Sequence, residues 1–249
     1  MENKIAVVIR GQFRTWNFCK HQTFHVFESR YPEVDWYFMS WEDSVTDSQL
    51  ETLQEDFKDR NATIKILVRD ETGNNSWNSQ RRLGYELLGK MDAYTQIFEM
   101  RPDVYLEISD TQQFPSNNTQ WYVTGLRTRE EVCRESDRYI RRVKTSINDW
   151  FYVQNPLMFQ KFTESYTESM KLEGPRAQLV DVALGNNIEI TDISDVVTPW
   201  VLRPTYTPNA LFGHEKLWMG MASKEKIKLL ESLNIQIQDY KTNNRFISI

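Results

Sequence analysis

The sequence predicts a mixed α/β protein with a mainly parallel sheet flanked by helices and a less regular C-terminal half. Three observations carry this. Short apolar, β-branched runs such as Lys4–Ile9 lack the in–out alternation of half-exposed strands, so they read as strands buried on both faces. Segments of helical period separate these runs, giving the alternation of βαβ units. Beyond residue 110 the alternation loosens, with shorter strands and more polar connections.

The elements follow in order. Lys4–Ile9 is the first strand, and Arg10-Gly11-Gln12 marks the turn after it. Trp16–Ser29 reads as a helix with Phe24 and Phe27 toward the core. Val34–Trp41 is a second strand, Thr46–Arg60 a polar surface helix and Thr63–Arg69 a third strand. A loop at 70–77 leads to a helix over 78–94 with Leu83, Leu87, Leu88 and Met91 at helical spacing. Gln96–Met100 is a fourth strand, stopped by Pro102. Trp121–Leu126 reads as a strand, Thr128–Thr145 as a basic helix and Trp150–Gln154 as a short strand. Asn155-Pro156 suits an N-cap and first turn, opening a helix with Met158, Phe159, Phe162, Tyr166 and Met170 on one stripe. Pro175–Leu184 is a helix with Gly185 as its stop, followed by two short strands within 188–203 and a last helix at 223–233. No repeat or linker divides the chain, so a single domain over 1–249 is expected.

Composition narrows the function. With 40% hydrophobic and 26% charged residues in 249, the chain is globular and large enough for a substantial core. Its net charge of −5 argues against general adhesion to nucleic acid or anionic membrane. Two cysteines and three histidines, at no ligand-like spacing, argue against a zinc site or a disulfide framework. No signal peptide or membrane-spanning run is apparent, so the expected compartment is the cytoplasm, bacterial or of a phage-infected host.

Four constellations could carry chemistry. Arg10, Gly11, Gln12 and Arg14 follow the first strand, where open α/β sheets bind ligands. Guanidinium groups bind phosphate bidentately and glycine lets backbone approach, so a diphosphate contact is one reading and a solvated loop the other. Neither G-x-G-x-x-G nor a Walker A motif is present. Arg101-Pro102-Asp103 ends the fourth strand, offering either a carboxylate for a metal-bound diphosphate or sugar hydroxyl, or an ion pair in a turn. Asn148-Asp149 offers a general base in Asp149, or a plain turn. Arg134, Arg138, Arg141 and Arg142 would form one stripe of the basic helix, facing either a polyanionic acceptor or solvent.

These residues resemble a known family. Gly11-Gln12-Phe13-Arg14-Thr15-Trp16, Ser40-Trp41, Met100-Arg101-Pro102-Asp103 and Asn148-Asp149-Trp150-Phe151 are similar, in order, to motifs of bacterial and viral glycosyltransferase-like proteins related to the WavE lipopolysaccharide-synthesis and capsule-synthesis families. Arg10 stands where that family has a small residue, and Glu99 where it often has arginine. The resemblance implies a GT-A-like (Rossmann-like) fold with a nucleotide-sugar-binding half at 1–110 and an acceptor-binding half at 111–249. It implies a nucleotide-diphospho-sugar donor held by Arg10, Gly11, Gln12, Arg14, Trp41 and Arg101, with Asp103 and Asp149 as catalytic carboxylates. The implied acceptor is a surface-glycan precursor or a hydroxymethylated or glycosylated base of phage DNA. Many such enzymes hold Mn²⁺ or Mg²⁺ through Asp-x-Asp. That pair is absent near Asp103, and Glu107 lies roughly 13 Å along an extended strand, leaving Asp103 as a single ligand beside phosphate oxygens and water. A non-catalytic binding module with a degenerate transferase fold is the alternative.

Overall fold

The computed structural model describes residues 4–13, 15–68, 93–117, 119–135, 138–147, 150–164, 175–201, 236–237 and 247–248. The expected loop at 70–77 and helix at 223–233 lie outside them, as does the helix at 78–94 except for its last two residues.

A seven-stranded sheet organises the described chain. Its strands are β1 (Lys4–Arg10), β2 (Glu33–Trp41), β3 (Ala62–Leu67), β4 (Gln96–Met100), β6 (Gln120–Val123), β9 (Phe151–Gln154) and β10 (Glu189–Asp192). They lie in the order β10-β6-β9-β4-β1-β2-β3. All run parallel except β9, which is antiparallel to both β4 and β6. The expected mainly parallel, Rossmann-like α/β sheet flanked by helices is therefore present.

Helices cover both faces. Helices α1 (Trp16–Glu28) and α2 (Asp47–Phe57) share one face. There Trp16, Phe24, Phe27, Leu53 and Phe57 pack on Ile5, Val7, Ile9, Trp36, Phe38 and Phe98. Helices α3 (Pro156–Glu164) and α4 (Pro175–Gly185) cover the other face at the β6–β9 end, burying Trp121, Val123 and Tyr152 against Met158, Phe162, Leu179 and Val180. β1 is apolar throughout its interior because both faces are covered. Ala6 and Val8 turn toward Tyr37, Met39 and Phe159, away from Ile5, Val7 and Ile9.

Local chemistry explains the helix ends. Thr46 and Gln49 form a reciprocal capping box, with the Gln49 N–H donating to Thr46 Oγ1 at 3.3 Å and the Thr46 N–H to Gln49 Oε1 at 3.0 Å. Asn155 caps α3 as expected, accepting from the Met158 N–H at 2.7 Å. The stop of α4 is not Gly185, which stays in the last turn. Asn187 takes the left-handed conformation at φ 54°, the Ile188 N–H donates to Ala183 O at 2.8 Å and the Asn187 N–H to Leu184 O at 3.1 Å. That is a Schellman ending with asparagine in the usual glycine place.

The largest correction concerns the basic segment. Residues 127–146 form an antiparallel ribbon, β7 (Arg127–Glu135) and β8 (Arg138–Ser146), not a helix. Thr128, Val132, Tyr139, Ile140 and Val143 favour strands, and the 136–137 connection has hairpin length. The arginine stripe of a helix does not exist. In the ladder Arg134 pairs with Tyr139 and Arg141 with Val132, while Arg138 and Arg142 fall in the alternate positions. A strand at β5 (Val104–Glu107), absent from the sequence expectation, pairs with β11 (Thr198–Val201) in a separate two-stranded sheet.

Candidate functional site

The strand order fixes where a ligand site belongs. From β1 the chain proceeds outward through β2 to β3, then returns to place β4 on the opposite side of β1. The carboxyl ends of β1 and β4 therefore form a topological switch point, where open α/β sheets leave a crevice. Ile9 is in register with Met100, so Arg10-Gly11-Gln12 and Arg101-Pro102-Asp103 leave the sheet side by side.

Gly11 makes this junction. Its φ is +135°, and a Cβ built on it would stand 3.3 Å from Pro102 Cδ. Its N–H donates to Met39 O at 3.0 Å, tying the turn to β2 as well. Glycine is required both for the backbone conformation and for the close approach. Gly11→Ala is expected to destabilise the protein by about 1–3 kcal/mol. A urea-unfolding midpoint equal to wild type would refute this.

Arg10 turns inward. It is 2% exposed, and its Nε donates to Glu99 Oε1 at 3.1 Å, with Glu99 fully buried. The second Glu99 oxygen accepts from Gln154 Nε2 at 2.7 Å, so β1, β4 and β9 are cross-linked at their adjoining positions. Arg101 and Asp103 form a bidentate pair, Nε to Oδ1 at 2.9 Å and Nη2 to Oδ2 at 2.6 Å. Asp103 is 1% exposed, so its carboxylate is buried just beyond the proline. The turn folds back, with the Val104 N–H donating to Arg101 O at 3.2 Å, and this tucks Asp103 under the guanidinium. The ion pair in a turn, one of the two sequence readings, is present.

The other expected residues are placed as follows. Gln12 is exposed at the mouth of the turn, and Trp41 is buried at the end of β2. Arg14 and Asp149 lie outside the described residues. Strand β9 begins opposite Met100, and Trp150 O accepts from the Arg101 N–H at 3.3 Å, so the segment entering β9 returns to the same edge. Phe13 and Trp16, part of the glycosyltransferase-like motif, are core residues packed under the turn.

Sequence reading missed two features here. Cys19 is buried beneath the turn. Burial, and secondarily the nearby Asp103 charge, push its thiol well above the usual range, so it is an inert core residue. Gln154 completes the Glu99 contact, but nothing in the sequence singles out one glutamine in an apolar strand. Among the described residues no group of three or more His, Cys, Asp or Glu side chains could hold a metal ion, and no helix is long and apolar enough to cross a membrane.

No protein-family model and no curated protein matches the chain, so the WavE-related resemblance rests on its motif residues. Among solved structures, one similar to it is described as a glucose-1-phosphate thymidylyltransferase from Bacillus anthracis, with 7% identity over 80% of this chain and 89% of that one, TM-score 0.46. Another is a nucleoside-diphosphate-sugar pyrophosphorylase from Vibrio cholerae, with 12% identity over 78% of this chain and 93% of that one, TM-score 0.46.

Proposed function

We propose that the protein is a glycosyltransferase that moves a sugar from a nucleotide-diphospho-sugar to an acceptor hydroxyl. The observation that carries this is the topological switch point, where a glycine-built turn and two arginine-bearing segments leave the sheet together. In this reading the turn at Gly11-Gln12 and the partly exposed guanidinium of Arg101 meet the donor diphosphate, with Arg14 and Trp41 as further donor contacts. Asp103 positions Arg101, and the buried Arg10–Glu99 pair holds the turn that presents Gly11. Asp149 serves as base. The acceptor oxygen attacks the anomeric carbon, the bond from that carbon to the diphosphate oxygen breaks, and the hydroxyl proton passes to the carboxylate. The acceptor is a surface-glycan precursor or a modified base in phage DNA.

A thermal-shift series with nucleotide-diphospho-sugars, with and without Mn²⁺ or Mg²⁺, tests this. A ligand bound only by the folded state adds about 2.7 kcal/mol at a hundredfold excess over Kd, several degrees of melting temperature for a chain this size. No shift with any donor, with or without metal, would remove the proposal. A shift without donor hydrolysis, and without transfer to either acceptor class, would favour a binding module.

A further inference from the structure

We infer that the protein binds its donor diphosphate without a divalent metal, the Arg101 guanidinium standing in for the cation and Asp103 serving as its counter-ion. The inference rests on the transferase reading in bringing a diphosphate to this junction. The residues present do not fit an Mn²⁺ or Mg²⁺ ion at Asp103. Both of its oxygens accept from Arg101, Oδ1 from Nε at 2.9 Å and Oδ2 from Nη2 at 2.6 Å. A magnesium ion on either oxygen, at about 2.1 Å, would keep several waters or phosphate oxygens around it. The Asp103 side chain is 1% exposed, which leaves no space for that shell. The ion would also stand roughly 4 Å from an Arg101 nitrogen, where like charges repel. Glu99, the carboxylate inside β4, is fully buried and committed in the same way, with Oε1 accepting from Arg10 and Oε2 from Gln154.

The accessibility of the pair favours an anion as its ligand. The Arg101 side chain is 13% exposed against 1% for Asp103, so an anion reaches the guanidinium where a cation does not reach the carboxylate. The carboxylate takes the Nε–Nη2 edge, which fixes the guanidinium plane and sets Nη1 on the opposite edge. The backbone beneath is fixed as well. The Arg101 N–H donates to Trp150 O at 3.3 Å, the Val104 N–H donates to Arg101 O at 3.2 Å, and Pro102 lies against Gly11. A positive charge held in this way needs no reorganisation to meet the negative charge that grows on a departing diphosphate. The planar guanidinium also matches the geometry of phosphate oxygens.

Titration calorimetry with two probes tests this: inorganic pyrophosphate in EDTA, and Mn²⁺ alone. Wild type is expected to bind pyrophosphate in EDTA. The double variant Arg101→Gln/Asp103→Asn removes both charges together and should bind it about ten- to a hundredfold more weakly, with circular dichroism confirming the fold. Arg101→Lys keeps the charge without the planar fork and should bind between the two. It carries the comparison if the double variant unfolds. Mn²⁺ should behave alike with wild type and with folded Asp103→Asn. Pyrophosphate binding that requires Mn²⁺, or Mn²⁺ binding that Asp103→Asn abolishes, would overturn the inference. So would equal pyrophosphate affinity in wild type and the charge-removed variant, or no binding in EDTA at all. The transferase reading is judged separately, by the donor shift in melting temperature. A donor shift without metal-free pyrophosphate binding sinks the inference alone, and pyrophosphate binding without any donor shift sinks the transferase reading alone.

Discussion

Arg10→Ser is expected to lower stability by about 3–5 kcal/mol, although serine is a small residue of the kind the glycosyltransferase-like motif carries at this place. Arg10 and Glu99 are buried together at 3.1 Å, in adjacent parallel strands. Removing the guanidinium takes a charged partner from a fully buried carboxylate whose other oxygen accepts from the Gln154 amide. The loss corresponds to roughly 10 °C of melting temperature in a chain of this length. Adding Glu99→Gln should restore most of it, since the amide oxygen still accepts from Gln154 and the buried charge that Arg10 paired is removed with it. Thermal melts of the two single variants and the double variant form a cycle whose coupling is the quantity of interest. Purely additive losses would show that the pair contributes nothing as a pair. The two departures from the family pattern, Arg10 and Glu99, thus stand in contact as halves of one interaction.

That contact shows where reading the chain alone stopped. The strands and helices were legible because burial on both faces makes Ile5–Ile9 continuously apolar and Gln96–Met100 mostly so, and because Thr46 and Asn155 are strong caps. The junction of Arg10-Gly11 with Arg101-Pro102 was legible too, since successive parallel strands place their carboxyl ends on one edge. Side-chain direction was not. An arginine after a strand looks the same whether it meets a ligand or turns back to a glutamate 89 residues away. The ribbon was misread because Arg134, Arg138, Arg141 and Arg142 satisfy a helical spacing by coincidence. The pairing of β7 with β8 depends on a short turn that charge spacing does not reveal. The burial of Asp103 was not legible, because its bidentate contact with Arg101 depends on how the turn folds back, which the order of residues does not reveal.

Trp16→Ala is expected to cost about 3–5 kcal/mol and to bring the protein close to unfolding at room temperature. Trp16 is fully buried at the start of α1. Its ring stacks on Phe57 at 5.7 Å and meets Phe24 and Phe38 edge-on at 5.6 and 5.5 Å. These contacts join α1, α2 and β2 directly beneath the Gly11 turn. The indole Nε1 donates to Asp56 Oδ2 at 2.9 Å, and Lys20 Nζ holds the other Asp56 oxygen at 2.6 Å. Trp16→Phe keeps much of the ring packing and removes one charge-assisted hydrogen bond, so a smaller loss of about 1.5–3 kcal/mol is expected. The comparison decides what the motif tryptophan does. A core residue loses stability in the order Phe then Ala, while the folded Phe variant keeps the donor-induced rise in melting temperature. A ligand-stacking residue would melt normally as Phe and lose that rise. Urea unfolding of both variants, with the donor shift repeated on Trp16→Phe, separates the two outcomes. Wild-type stability in Trp16→Ala would contradict the packing described here.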